Sequence, residues 1–245
     1  MRNIKLTLEY EGTNYAGWQV QPDGVETVQG VLSRTLTEFL DEDIKVTGAS
    51  RTDAGVHALS QVAAFTSVTK IPLIGMQRVI NTLLPPDIVI TGIEEVALDF
   101  DPRRNARSKS YLYRILNRPS PSALNRRFAW HVHSPLDIEP MLRGAQLLIG
   151  RMDFASFMAH DSDAAHSIRE VTSLDVRKAG DFVEIEVKGT AFLRHMVRIM
   201  VGTLVAIGKG RLSPDDLSSI IAARDRTAAP MTAPPHGLFL KEVVC

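Results

Sequence analysis

The stretch Val171-Thr172-Ser173-Leu174-Asp175-Val176-Arg177-Lys178-Ala179-Gly180-Asp181-Phe182-Val183-Glu184-Ile185-Glu186-Val187-Lys188 reads as a hairpin turned at Ala179-Gly180-Asp181. So short a connection joins antiparallel strands, because a parallel crossover needs a dozen residues or more. Working outward, Thr190 to Ile207 has the pattern of a long helix, Pro214 to Ala223 of a shorter one, and Leu238 to Val243 of a closing strand. Upstream lie a helix over Asp137 to Leu148 and strands over Ser110 to Asn117 and Ile88 to Val96. Pro72 opens a short helix to Leu84, stopped by Pro85-Pro86. Ile44 to Thr47 and Gln61 to Thr66 read as strands flanking the loop Ser50 to His57. Val28, Val31, Leu32, Leu36, Phe39 and Leu40 recur at helical spacing behind an N-cap at Thr27, and Ile4 to Tyr10 alternates as a half-buried strand does. Helices and closely joined strands interleave, which predicts an α+β fold with a mixed, mostly antiparallel sheet. The strands give way to charge and proline around Asp99 to Asn105, so two lobes are expected, 1–104 and 105–245.

At 245 residues, 44% of them hydrophobic, the chain can bury roughly 70–75% of its unfolded surface, which excludes disordered, collagen-like and small disulfide-stapled classes. Cys245 is the only cysteine, so there is no intrachain disulfide and no cysteine-based metal site. The start, Met1-Arg2-Asn3-Ile4-Lys5-Leu6, lacks the apolar region of a signal peptide, and the longest nearly apolar stretch, Ile199 to Gly208, is far short of a membrane span. The expectation is a soluble protein of a reducing compartment.

Twenty-eight basic residues balance 28 acidic ones, and a neutral sum argues against a nucleic-acid partner. The distribution argues the other way. Arg103 to Arg127 holds Arg103, Arg104, Arg107, Lys109, Arg114, Arg118, Arg126 and Arg127 with no acid, and Lys188 to Arg211 holds Lys188, Arg194, Arg198, Lys209 and Arg211 with none. These windows are either solvated faces or a positive field on one side of a neutral protein. Tyr111 and Tyr113 alternate inside the first window and share a face, where they are either core residues or a stacking platform among cations.

The densest candidate site is Gly48-Ala49-Ser50-Arg51-Thr52-Asp53-Ala54-Gly55-Val56-His57-Ala58, which sets Arg, Asp and His beside two glycines between strands. Thr-Asp-Ala-Gly is also a good turn in its own right. On the long helix, Arg194 and Arg198 fall one turn apart among apolar residues, and a buried guanidinium needs a carboxylate, for which Asp53 is a candidate. His131 with His133, and the run His160 to His166, raise a metal hydrolase as a rival, but no defined ligand spacing is present.

Arg51-Thr52-Asp53-Ala54-Gly55-Val56-His57-Ala58 resembles the catalytic motif of the tRNA pseudouridine synthase A family. The resemblance runs the length of the chain in order. It takes in Tyr10-Glu11-Gly12-Thr13-Asn14-Tyr15-Ala16-Gly17-Trp18-Gln19, Thr27-Val28-Gln29-Gly30, Ala106-Arg107-Ser108-Lys109-Ser110-Tyr111-Leu112-Tyr113, Asp153-Phe154-Ala155-Ser156-Phe157, Phe192-Leu193-Arg194-His195-Met196-Val197-Arg198 and Gly237-Leu238-Phe239-Leu240. It implies two α/β lobes about a basic cleft, and isomerisation of uridine to pseudouridine in the anticodon stem-loop of tRNA, at positions 38, 39 and 40, with no metal or organic cofactor. It implies Asp53 as the nucleophile in the first lobe, attacking base or sugar. Tyr111 would stack on the uracil and Arg198 hold Asp53 ionised, Arg51 would help extrude the nucleotide, and Leu238 would pack on the base. Arg103, Arg104, Arg107, Lys109 and Arg114 would meet the RNA backbone. The partners implied are tRNA and a second copy in a cytoplasmic homodimer, with no membrane. A catalytically silent tRNA-binding protein of the same fold is the alternative. Ser50 stands where the family usually has glycine, which bears on the loop path and on the placement of Arg51.

Overall fold

A computed structural model describes residues 1–22, 24–162 and 164–245. By its contacts the chain forms two compact units, Met1–Arg107 with Phe239–Cys245, and Ser108–Leu238. The last strand thus belongs to the first unit, where the sequence suggested a single break near residue 104. The first unit has 11 basic and 15 acidic residues, the second 17 and 13, so each carries a net charge that the whole chain hides.

The first unit is built on strand β1 (Arg2–Tyr10), whose Ile4, Leu6 and Leu8 are fully buried while Lys5 and Thr7 between them are half-buried. β1 pairs antiparallel with β3 (His57–Ser67) on one side and β4 (Ile88–Val96) on the other. A short strand β2 (Thr47–Gly48) pairs with β3 at Ala64 and Ala63, and β10 (Leu238–Val244) runs parallel to β3 through Phe239 and Leu240. Helix α1 (Val28–Leu40) starts where Thr27 Oγ1 accepts from Gly30 N at 3.2 Å and ends at Asp41 in the left-handed region. Its buried face is Val28, Val31, Leu32, Thr35 and Leu36, the spacing of one helical stripe, and each such aliphatic side chain contributes about 1.5–3 kcal/mol. Helix α2 (Leu73–Leu83) stops because Leu84, preceding Pro85, is driven to extended backbone.

The strand expected over Ile44 to Thr47 is shorter than its apolar pattern suggests. Side chains take its backbone groups instead: Thr37 Oγ1 accepts from Ile44 N at 3.1 Å, and Gln29 Nε2 donates to Val46 O at 2.7 Å. Ile44 and Val46 are buried without joining the ladder.

The second unit holds β5 (Ser108–Asn117), β6 (Trp130–Val132), β7 (Gly150–Asp153), β8 (Ile168–Ala179) and β9 (Phe182–Gly189), with antiparallel order β5-β9-β8-β7 and β6 parallel to β5. The β8–β9 hairpin closes with Ala179 opposite Phe182, and Gly180 takes the positive φ of 59° that a two-residue turn asks for. Helices α4 (Ile138–Gln146), α5 (Met196–Gly208) and α6 (Asp216–Ala223) complete the unit, while a one-turn helix, α3 (Pro102–Asn105), belongs to the first. α5 is apolar round nearly its whole circumference and accordingly buried.

The start of α5 corrects the sequence reading. The helix begins at Met196, not Thr190, behind His195 at φ 62°. The backbone of the preceding segment is committed elsewhere: Thr190 N donates to Glu170 O, and Arg194 O accepts from Ala159 N at 3.1 Å. Arg194 therefore lies off the helix and does not share a face with Arg198. It is exposed and pairs with Asp161 at 2.7 Å.

Candidate active site

The loop between β2 and β3 is fixed before Asp53 is reached. Gln61, fully buried on β3, accepts from Ser50 N at 3.3 Å and donates to Ser50 O at 2.7 Å, replacing a ladder partner with an amide side chain. Ser50 is not among the residues with positive φ, so the path here does not require glycine. Thr52, buried, shares a hydrogen bond with Tyr10 Oη at 2.8 Å, and its carbonyl accepts from Trp18 N at 3.0 Å. Asp53 then occupies the first corner of a β-turn: its carbonyl accepts from Val56 N at 3.1 Å and Gly55 supplies φ 76°. The turn that Thr-Asp-Ala-Gly suggested is real and is what presents the half-buried Asp53. Arg51 is exposed beside it.

Beneath this turn lies a platform that the sequence reading did not foresee. Residues Gly12–Asn14 form a short 3-10 turn held by Asp87, whose backbone carbonyl accepts from Glu11 N at 2.9 Å and whose carboxylate accepts from Asn14 Nδ2 and Tyr15 Oη. Burial first, and then that hydrogen bond, push the Tyr15 phenol well above its ordinary pKa, so it stays a donor. From the platform, Tyr15 O accepts from Gly55 N at 3.3 Å. Gly12 and Gly17 lie so close to the turn that a Cβ would stand 1.9 Å from Val56 O and 2.6 Å from Thr52 O respectively. Gly48 in the same way leaves room for the Trp18 indole. Gly12 and Gly17 among Tyr10, Tyr15 and Trp18 are the trace of this packing in the sequence, but the backbone they pack against lies far along the chain.

Tyr111, Arg198 and Leu238 belong to the second unit. Tyr111, 7% exposed on β5, meets Phe192 edge-on with ring centres 5.1 Å apart. Tyr113, two residues along and fully buried, donates from Oη to Pro234 O at 2.8 Å. Arg198 Nε donates to Ala233 O at 2.8 Å, while Arg198 O accepts from Ala233 N at 3.0 Å. The segment 233–234 is thus pinned to both α5 and β5 just before Leu238, which is buried. Burial raises the Tyr113 phenol far above its usual pKa against an opposing pull from Arg198, and burial with Arg198 lowers His236. Tyr113, which the sequence leaves between core and stacking platform, is core here, and His236 is a part of the Arg198 surroundings that sequence alone did not single out.

The basic windows are partly neutralised by carboxylates outside them. Arg103 and Arg104 are exposed on α3, whose N-cap Asp101 accepts from both backbone N–H groups and pairs with Arg104 at 3.5 Å. Those bonds, the one from Arg104 N foremost, hold the Asp101 carboxyl below its usual range. Arg107 is exposed and Lys109 half-buried. Arg114 pairs with Glu184 at 3.1 Å, and Arg177 shares that carboxylate at 3.0 Å. Arg118 pairs with Asp181.

His131 Nε2 is hydrogen-bonded to Arg118 O at 2.8 Å, and His166 Nδ1 lies 3.2 Å from Arg169. Among the described residues no group of three or more His, Cys, Asp or Glu comes together as metal ligands, and Asp163 of the His160–His166 run lies outside them. No described helix is long and apolar enough to cross a membrane.

Comparison with known proteins places these loops in a lineage. A family model described as tRNA pseudouridine synthase matches residues 7–103 and 145–244. The chain is 49% identical to tRNA pseudouridine synthase A of Myxococcus xanthus over 99% of its own length and 92% of the relative's. It is 45% identical to the protein of that name from Geotalea daltonii, over 99% of both chains, and 44% identical to that from Thermoanaerobacter sp. (strain X514), over the whole of both. With the Asp53 turn, its glycine platform and the Phe192–Arg198 segment all carried on a match of that extent, the chain belongs to the tRNA pseudouridine synthase family.

Proposed function

We propose that this protein isomerises uridine to pseudouridine in the anticodon stem-loop of tRNA, with Asp53 as nucleophile. The observation that carries the reading is the Asp53 turn: a carboxylate at the corner of a glycine turn, half-buried, with the backbone on both sides fixed by Gln61, Trp18 and Tyr15. Such pre-organisation suits a group that must meet a reacting atom and leave again. In the isomerisation the N1–C1′ bond breaks and a C5–C1′ bond forms. C5 loses its hydrogen and N1 gains one, so substrate and product have the same formula. Asp53 serves by attack on either the base or the sugar. Tyr111, Arg51, Arg198 and Leu238 are assigned to the substrate, the first by stacking on the extruded uracil. Relatives that bear the enzyme's name at 44–49% identity argue against a silent tRNA-binding protein of the same fold. The family resemblance also supports a cytoplasmic homodimer, which sedimentation of the purified chain measures.

The experiment is to incubate the protein with unmodified tRNA transcripts, with and without a chelator, and map pseudouridine. Conversion confined to the anticodon arm and indifferent to chelator is expected. No conversion, or conversion only with added metal, overturns the reading.

Arg103, Arg104 and Arg107 are assigned to phosphates. Each neutralised phosphate steepens the slope of log affinity against log salt by about 0.7–0.9. Since Asp101 already compensates Arg104, the triple alanine variant is expected to lose about 1.4–1.8 from that slope. An unchanged slope in filter binding across a salt series places α3 away from the RNA.

A further inference from the structure

We infer that His57 is a positioning residue for Asp53, acting through the hydrogen bond that its neutral imidazole accepts from the backbone of Gly12. The inference rests on the assignment of Asp53 as the nucleophile. His57 is the first residue of β3, four after Asp53, and is 1% exposed. Gly12 N donates to its Nδ1 at 3.0 Å. An Nδ1 that accepts carries no proton, so the ring is the Nε2–H tautomer. On its flat side the imidazole stacks on Phe239 of β10, with centres 4.8 Å apart and planes 27° from parallel. The ring is thus held face and edge, and the group it holds is the start of the platform.

What this does to Asp53 follows from the platform's contacts. Tyr15 N donates to Gly12 O at 3.1 Å, so the 3-10 turn hangs from Gly12. The Tyr15 carbonyl takes Gly55 N, and Gly17 presses on Thr52 O and on the Asp53 carbonyl carbon, which its Cβ would approach to 3.1 Å. Asp87 holds the other side of the same segment. The 3-10 turn is therefore held at Gly12 by His57 and at Glu11, Asn14 and Tyr15 by Asp87, and His57 is the anchor nearer to the Asp53 turn along the chain. Loss of the acceptor leaves Gly12 N–H buried against the ring with no bond to make there, and the turn shifts to relieve it. A displacement of about 1 Å at a reacting carboxylate costs on the order of 100-fold in rate without weakening substrate affinity.

Three variants separate the acceptor from the ring. In His57→Asn the amide oxygen stands near the place of Nδ1 and can accept from Gly12 N. In His57→Gln the polar group lies near the place of Nε2 and cannot. His57→Phe keeps the stack on Phe239 and removes the acceptor. Single-turnover rates on a tRNA transcript, KM, tRNA affinity and thermal midpoint are measured for each. The expected result is a rate about 10- to 100-fold lower for Phe and Gln, KM and tRNA affinity within about threefold of wild type, and recovery to within about fivefold in Asn. A normal rate in Phe, an Asn variant as slow as Phe, or a loss carried by KM overturns the inference. If Phe fails to fold, the Asn and Gln pair decides, and equal rates or failure of Asn to fold also count against it. Asp53→Asn run beside them keeps the two readings apart. An active Asp53→Asn defeats the nucleophile assignment, whereas an inactive one with a flat His57 series defeats only the role of His57.

Discussion

Asp53→Asn is expected to lower the rate of pseudouridine formation on the order of 10⁴-fold or more while leaving tRNA affinity within about threefold. The substitution is nearly isosteric, and the hydrogen bond that closes the turn is a main-chain one. It runs from Val56 N to the Asp53 carbonyl, and Gly55 supplies the positive φ. Folding and binding therefore survive while the nucleophile is lost, since an amide is neither charged nor a useful leaving group. Asp53→Glu keeps the charge but moves it by about the length of one methylene, and a loss near 100-fold is expected, because the platform under Gly17 leaves the backbone no freedom to compensate. Quantifying pseudouridine in transcripts after a single turnover checks both. Asn activity above about 1% of wild type removes Asp53 from the reaction.

The elements legible in the sequence were those whose side chains repeat with the element's own period. β1 alternates, α1 carries one apolar stripe behind a capping threonine, and the β8–β9 hairpin shows its turn. What could not be read depends on partners far along the chain. The false start of α5 arose because Phe192 and Leu193 continue an apolar pattern, while the Arg194 carbonyl is taken by Ala159, 35 residues earlier. The windows of positive charge looked uncompensated because strand register was unknown. Once β5 pairs with β9, Arg114 stands opposite Glu184, and Glu184 stands opposite Arg177 on β8. At the candidate site, residue types and the Thr-Asp-Ala-Gly turn were legible, and the functional roles came from the family resemblance. The platform was not legible, for Gly12 and Val56 are 44 residues apart and their proximity is a property of the sheet.

That platform carries the second large effect. Gly17→Ala is expected to destabilise the protein by about 2–5 kcal/mol and to lower the rate of the surviving folded protein by about 100-fold. Two separate costs act at this position. Its φ of 97° is one that side-chain-bearing residues rarely adopt, at about 1–2 kcal/mol. The added Cβ would also stand 2.6 Å from Thr52 O and 3.1 Å from the Asp53 carbonyl carbon. Both neighbours are backbone, so relief requires the catalytic turn itself to move, at about 1–3 kcal/mol. Gly180→Ala isolates the first cost, because Gly180 also has positive φ, at 59°, but no atom lies within 4 Å of its would-be Cβ. Gly180→Ala should lose about 1–2 kcal/mol in denaturant melts and keep the wild-type rate. If Gly17→Ala behaves like Gly180→Ala in both measurements, the glycine is there for its dihedral angle alone and the platform does not hold Asp53. If it loses rate out of proportion to stability, the close approach of Gly17 to the Asp53 peptide is part of how the carboxylate is aimed.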